Sequence, residues 1–229
     1  MFIQIKDWFP VFLSIKVAFI VVFIVACVGI PLGRLMARRE FYGKDVVEAF
    51  ITLPLVLPPS VIGYGLLKLI GKNGLLGKTL ESMGISIIFT WWAVVLASTV
   101  VAFPLMYQSA KAAFCSVEPN YEKAARTLGA SEMRIFLTIS LPLAWPGIIA
   151  GLVLAFARAL GEFGATLMVA GNIPGQTQTI PLAIYFAVES GDDQTARTLV
   201  AIITVFSFLM IFWVNRWTKR KTFQFNNGG

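Results

Sequence analysis

Twelve acidic residues and no histidine narrow the chemistry open to these 229 residues. Without imidazole there is no ordinary proton shuttle, no histidine zinc ligand and no Ser–His–Asp arrangement. Cys27 and Cys115 lie singly in or beside apolar runs, so neither a disulfide framework nor a CxxC metal site is available. Gly71-Lys-Asn-Gly-Leu-Leu-Gly-Lys-Thr79 imitates a phosphate-cradling loop, but the glycine required five places before Gly77-Lys78-Thr79 is Lys72. It reads as a flexible glycine-rich turn whose lysines meet lipid headgroups or a docking protein. No nucleotide and no other cofactor is expected on this chain. Arg158 and Glu162 stand four apart in an otherwise uncharged run. An arginine at the centre of a membrane span costs about 2.5–3.5 kcal/mol on insertion scales, so it must face protein or a wet cavity. Two readings stay open: a buried ion pair that locks helix rotation, or a pair beside a permeation path or moving gate. The glutamate largely cancels the arginine's pull on a dianion, so no oxyanion site is assigned there.

The elements that position these residues must be solvated by lipid. Residues of the set AVILMFWYC make up 57% of the chain and charged residues 14%, against about 25% charged in an ordinary globular domain. That excludes a soluble enzyme of this size, and it excludes disorder, which needs low hydrophobicity and high charge. Crossing the hydrocarbon takes about 20 apolar residues. The pattern predicts an all-α polytopic membrane protein of five transmembrane helices, at about 11–36, 47–70, 84–110, 135–169 and 197–217. The first is too long, and too poor in cleavage-site character, for a signal peptide. The short apolar piece 180–188 reads as part of an outer loop or a re-entrant segment. Residues 1–229 form one membrane domain with a single sizeable excursion, 111–134.

The net charge of +7 reports orientation rather than nucleic acid. One side collects Arg34, Arg38, Arg39, Lys44, Lys111, Lys123, Arg126, Arg134, Arg216, Lys219, Arg220 and Lys221. The other holds Lys6, Lys16, Lys68, Lys72, Lys78 and Arg197, half as many. The positive-inside rule then places the N-terminus outside, with the 111–134 loop and the C-terminus in the cytoplasm.

Pro54, Pro58 and Pro59 must interrupt hydrogen bonding in the second span, since each lacks an N–H and crowds the preceding turn. Broken helices at membrane depth are tolerated where they face protein or a cavity. Thr52 and Ser60 could then offer hydroxyls to a polar lumen, or the kink merely shapes the bundle. Gly147, Gly151, Ala155 and Ala159 form a small-residue ladder that lets helices approach closely, within the subunit or across a two-fold axis. Trp91, Trp92, Trp213 and Trp217 fit interfacial anchors.

Residues 116–134 carry the densest local signals. Glu118 and Pro119 suit a helix start, and Glu122 and Arg126 stand at i, i+4. Gly129 suits the left-handed position that ends a helix, and Ser131 suits the cap of a second short one. The expected product is a compact helix–turn–helix with Ala124 and Ala125 on one face, open to another protein's surface.

Ala124-Ala125, Gly129 and then Ile139-x-Leu141-Pro142 resemble the EAA loop of binding-protein-dependent ABC importer permeases. In that family the loop forms a coupling helix seated in a groove of the cytoplasmic ATPase. The resemblance implies ATPase-coupling roles for Glu122, Ala124, Ala125, Arg126, Gly129 and Ala130. Here Lys123, not glutamate, directly precedes the alanine pair, and Glu122 lies one place earlier. Leu53-Pro-Leu-Val-Leu-Pro-Pro-Ser60, Arg126-Thr-Leu-Gly-Ala130, Arg158-Ala-Leu-Gly-Glu-Phe-Gly-Ala-Thr166 and Asn172-Ile-Pro-Gly-Gln-Thr-Gln-Thr-Ile-Pro181 are similar to the sulfate/molybdate branch, within the methionine-importer-like fold. The short five-span length is most similar to its molybdate permeases. This implies import of molybdate, or alternatively sulfate or tungstate, across a prokaryotic cell membrane. It also implies a homodimer in lipid, two copies of an ABC ATPase, an extracytoplasmic oxyanion-binding protein, and no catalysis by this chain. Thr52, Pro58, Pro59, Ser60, Arg158 and Glu162 are the candidates for the translocation path or gate. An ion-driven secondary transporter is the competing class; it calls for inverted repeats and several intramembrane acids, which are not visible.

Overall fold

The computed structural model describes the backbone of residues 8–226. Lys6 and the side chains of Trp217, Lys219, Arg220 and Lys221, which enter the anchor and charge expectations, lie outside the described residues. Helix α1 runs Phe9–Arg38, followed by α2 Lys44–Val56, α3 Pro59–Ile70 and α4 Leu75–Ser82. Helix α5 is Trp91–Cys115, α6 Pro119–Thr127 and α7 Glu132–Ile135. A π-helical turn, Phe136–Ser140, leads into α8 Leu141–Leu160, and α9 Gly164–Ala170, α10 Ile180–Glu189 and α11 Asp193–Asn226 complete the chain. Among the described residues, four helices are long and apolar enough to cross a membrane: α1, α5, the continuous stretch from Glu132 to Leu160, and α11. A fifth crossing requires the bent pair α2 and α3, which meet at 115°.

The core is the three-way packing of α1, α5 and α8. Val17, Ala18, Val21 and Val25 of α1 meet Ala97, Val101, Ala102 and Met106 of α5, all at most 2% exposed. Small residues set the approach distances, because in lipid apolar attraction alone does not sort helices. A Cβ placed on Gly147 would stand 2.6 Å from the Ala113 Cβ, and one on Gly151 would stand 2.6 Å from the Ser109 Cβ. The Gly147–Ala159 ladder is thus, at its two glycines, a packing surface within the subunit. Helix α10 is held by α1 as well, where Ser14 Oγ accepts the Ile180 N–H at 2.8 Å.

Helix limits differ from the sequence expectation at several places, each for a local reason. Pro54 stays inside α2 because its fixed φ is itself helical. The break falls at Leu57 and Pro58, whose ψ values of 140° and 139° are extended because each precedes a proline. The 135–169 span is interrupted at Gly161–Phe163, so α9 is a separate piece. Residues 84–90 are not helical, and the third span starts at Trp91. Phe89 there takes φ +60°, and its N–H is held by the Val169 carbonyl at 3.1 Å. Helix α5 continues through Lys111, so the excursion begins at Ser116 rather than 111. Gly71–Thr79 is a close-packed turn into α4 rather than a loose one, since a Cβ on Gly77 would collide with the Gly71 carbonyl. The 180–188 piece is the helix α10.

Candidate coupling elbow and broken-helix junction

Two places gather most of the residues that the sequence pointed to. The first is the elbow formed by α6, α7 and the π-helical turn. Pro119 opens α6 after the extended Glu118, Gly129 follows the helix at φ +80°, and Ser131 Oγ accepts the Arg134 N–H at 3.4 Å. The π-helical turn sits where Pro142 enters the next helix without an N–H to give and with its ring crowding the turn before it.

Glu122 faces inward. Its side chain is 4% exposed, and Oε1 accepts from Ser140 Oγ at 2.7 Å and from Arg38 Nη2 and Nε at 3.2 and 3.3 Å. Arg38 Nη2 also donates to the Val117 carbonyl at 2.8 Å. One buried carboxylate therefore ties the elbow to the C-terminal end of α1, 84 residues away in sequence, and to the start of α8. Arg126 reaches Glu122 only at 3.8 Å. Its stronger partner is Glu132, which accepts from its Nε at 2.5 Å and its Nη2 at 3.0 Å. That forked bond holds Arg126 further above its already high ordinary pKa. The pair clasps α6 to α7.

The opposite face of α6 is open. Tyr121, Ala124 and Leu128 are exposed at i, i+3 and i+7, Leu128 at 87%. Ala125 and Ala130 are half-buried, and Gly129 is exposed. Sequence reasoning found the alanines and Gly129 but missed Tyr121, Leu128 and Met133, and it missed Arg38 and Ser140. Helical spacing from Ala124 was signal enough for Tyr121 and Leu128. Nothing local could pair Arg38 with Glu122.

The second place is the junction of the two broken helices. A Cβ on Gly164, at the start of α9, would stand 3.0 Å from the Pro59 Cβ and 3.6 Å from the Ser60 nitrogen. Gly63 packs one turn further on against Ala165 and Met168. Pro59 and Ser60 thus meet the segment that follows Arg158 and Glu162. Glu162 is buried; its Oε1 accepts the Ala165 N–H at 2.8 Å, and its Oε2 stands 2.7 Å from Arg158 Nη1. The latter contact is close in distance without the alignment of a hydrogen bond. Pro58 and Ser60 are exposed, and the Arg158 side chain is 29% exposed. Thr52 lies apart from the junction on α2, its hydroxyl donated to the Glu48 carbonyl at 2.8 Å. Among the described residues no group of three metal-ligating side chains occurs.

Against this geometry the comparisons with known proteins agree with one another. The family model described as "Binding-protein-dependent transport system inner membrane component" matches residues 29–224. The putative molybdenum transport system permease protein YvgM of Bacillus subtilis is 50% identical over 90% of this chain and 92% of its own length. The molybdenum transport system permease protein ModB of Escherichia coli K12 is 42% identical over 93% and 94%. The sulfate transport system permease protein CysT of Salmonella typhimurium is 33% identical over 82% and 68%. A solved inward-facing form of the MetNI methionine ABC transporter shares the fold at a TM-score of 0.73 and 18% identity, covering 95% of this chain and 99% of that one. A bacterial ABC transporter for the acidic polysaccharide alginate does so at 0.67 and 17%, covering 95% and 80%. By sequence and by fold, this multi-pass membrane chain belongs to the family of binding-protein-dependent transport system inner membrane components.

Proposed function

We propose that this chain is the membrane-spanning subunit of an ATP-driven importer that brings molybdate, or a similar tetrahedral oxyanion, into the cytoplasm by alternating access. It breaks no bond in its substrate. ATP is hydrolysed by a separate subunit, two copies of which serve a homodimer of this chain, and the anion is delivered by an extracytoplasmic binding protein. The N-terminus lies outside, the elbow and C-terminus inside, and residues 1–229 act as one permease domain.

The observation that carries this reading is the two-faced elbow. One face, with Tyr121, Ala124 and Leu128, is apolar and open to a partner. The other is bolted through Glu122 to Arg38 and Ser140. Closure of the ATPases pushes the open face, and the bolt passes the displacement to α1 and α8 together, so two sites are coupled through one two-state element. Ala125, Arg126, Gly129 and Ala130 fix the shape of the elbow. The junction of Pro58, Pro59 and Ser60 with Arg158 and Glu162 is the moving part of the path, since non-helical backbone at membrane depth is tolerated where it faces protein or a cavity. Thr52 serves the same wall one segment away.

The test is reconstitution of this chain with its ATPase and binding protein in sealed vesicles. Radiolabelled molybdate should enter only with ATP and the binding protein, and unlabelled tungstate should compete more strongly than sulfate. Uptake driven by an ion gradient without ATP would overturn the reading.

A further inference from the structure

The elbow's bolt forms one side of a second feature. A cleft of about 660 Å³ opens between the end of α1 and the α6–α7 elbow, and four arginines line it against two glutamates. Arg38 and Glu122 are committed to each other. Arg126 takes Glu132 as a fork, leaving Arg34 only a 4.0 Å contact with that carboxylate and a seat 4.5 Å above the Phe136 ring. Arg39 is exposed, and among the described residues its side chain has no hydrogen-bond or ion-pair partner. The cleft therefore carries a cationic surplus.

The wall that leads to it is apolar. Phe23, Cys27, Pro31 and Leu35 form an exposed row at i, i+4 steps along α1, and the next step is Arg39. A row of this kind at membrane depth meets acyl chains, and Met133, 66% exposed, extends the apolar surface on the elbow side. Guanidinium groups bind a phosphate diester through paired donors, and basic pockets between helices on the cytoplasmic side suit anionic headgroups.

We propose that this cleft holds the headgroup of an anionic glycerophospholipid, with Arg39 and Arg34 on its phosphate and one acyl chain along Phe23–Leu35. An acidic surface of a soluble partner would satisfy the arginines but could not use the row above them, which lies at the depth of the hydrocarbon. The lipid bridges α1 and α7, the two elements that the bolt also joins, and so stiffens the elbow. The inference rests on the inward orientation of the elbow proposed above.

The test is native mass spectrometry of the chain, purified with its ATPase from nanodiscs of phosphatidylcholine containing phosphatidylglycerol. Wild type should retain phosphatidylglycerol selectively. Arg39→Gln should weaken retention about fivefold and Arg34→Gln/Arg39→Gln by more than tenfold, at roughly one headgroup-strength interaction per arginine. Lys123→Gln, outside the cleft, should retain the lipid as wild type does. Millimolar inorganic phosphate should not displace it. Equal retention by the double variant, or displacement by phosphate, would overturn the proposal. The ATPase copies in the same spectra are read separately: their absence from wild type counts against the transporter reading, while lipid retention is still scored on the chain alone.

Discussion

The elbow and the broken-helix junction each bury a glutamate beside an arginine, yet the two pairs are wired differently. Glu122 draws its partners from α1 and from the start of α8, with Arg38 lying 84 residues away in the chain. Glu162 finds both of its partners locally, in Arg158 one turn before and the Ala165 N–H three residues on. A carboxylate with distant partners makes separate elements move as one. A carboxylate with local partners holds the shape of a single bend. The same chemistry thus serves as a bolt in one region and as a brace in the other.

The largest expected effect comes from unfastening the bolt. Arg38→Met leaves the buried Glu122 carboxyl without its main partner, which should cost about 3–5 kcal/mol of stability. Thermal unfolding in detergent measures it. The double variant Arg38→Met/Glu122→Met should recover most of that stability while still uncoupling ATP hydrolysis from uptake, because the apolar pair fills the site without directional bonds. Recovery of coupling as well would erase the distinction between bolt and brace.

Loosening the brace should cost less. Glu162→Gln keeps a neutral, weaker acceptor for the Ala165 N–H and leaves Arg158 without its anion, so about 1–3 kcal/mol is expected from the same unfolding measurement. Its effect should fall on uptake rate with ATPase docking unchanged. Next comes Gly129→Ala, which places a side chain at φ +80° where little else is crowded; about 1 kcal/mol of strain is expected. Co-purification of the ATPase should fall accordingly. Smallest of all is Glu132→Gln, since both the Arg126 and Glu132 side chains are well exposed and such pairs contribute little. The unfolding midpoint should stay within error of wild type.

Much of this was legible in the sequence, and what was not has a common cause. Composition gave the lipid-solvated, all-helical class, and helix chemistry gave the start of α6 at Pro119, the left-handed Gly129 and the Ser131 cap. The proline cluster announced a broken second span but not the 115° bend, because the bend depends on which proline is preceded by which residue. The second break, at Gly161–Phe163, carries no proline and falls in an apolar run whose only charges are Arg158 and Glu162. For Glu122, helical spacing offers only the near neighbour Arg126. The nearer contact is Arg38, and only the packing of α1 against the rest of the bundle brings it there.

The claim on which the account depends is that the open face of α6 seats on a separate ATPase in the cytoplasm. Cross-linking tests it most directly, in a background where Cys27 and Cys115, both exposed, are replaced by alanine. Leu128→Cys should cross-link to the ATPase subunit with high yield and change yield when ATP is added. Gln176→Cys, in the turn between α9 and α10, should cross-link to the binding protein and never to the ATPase. The reverse pattern, or an elbow cysteine that meets no partner in the full assembly, would contradict the account.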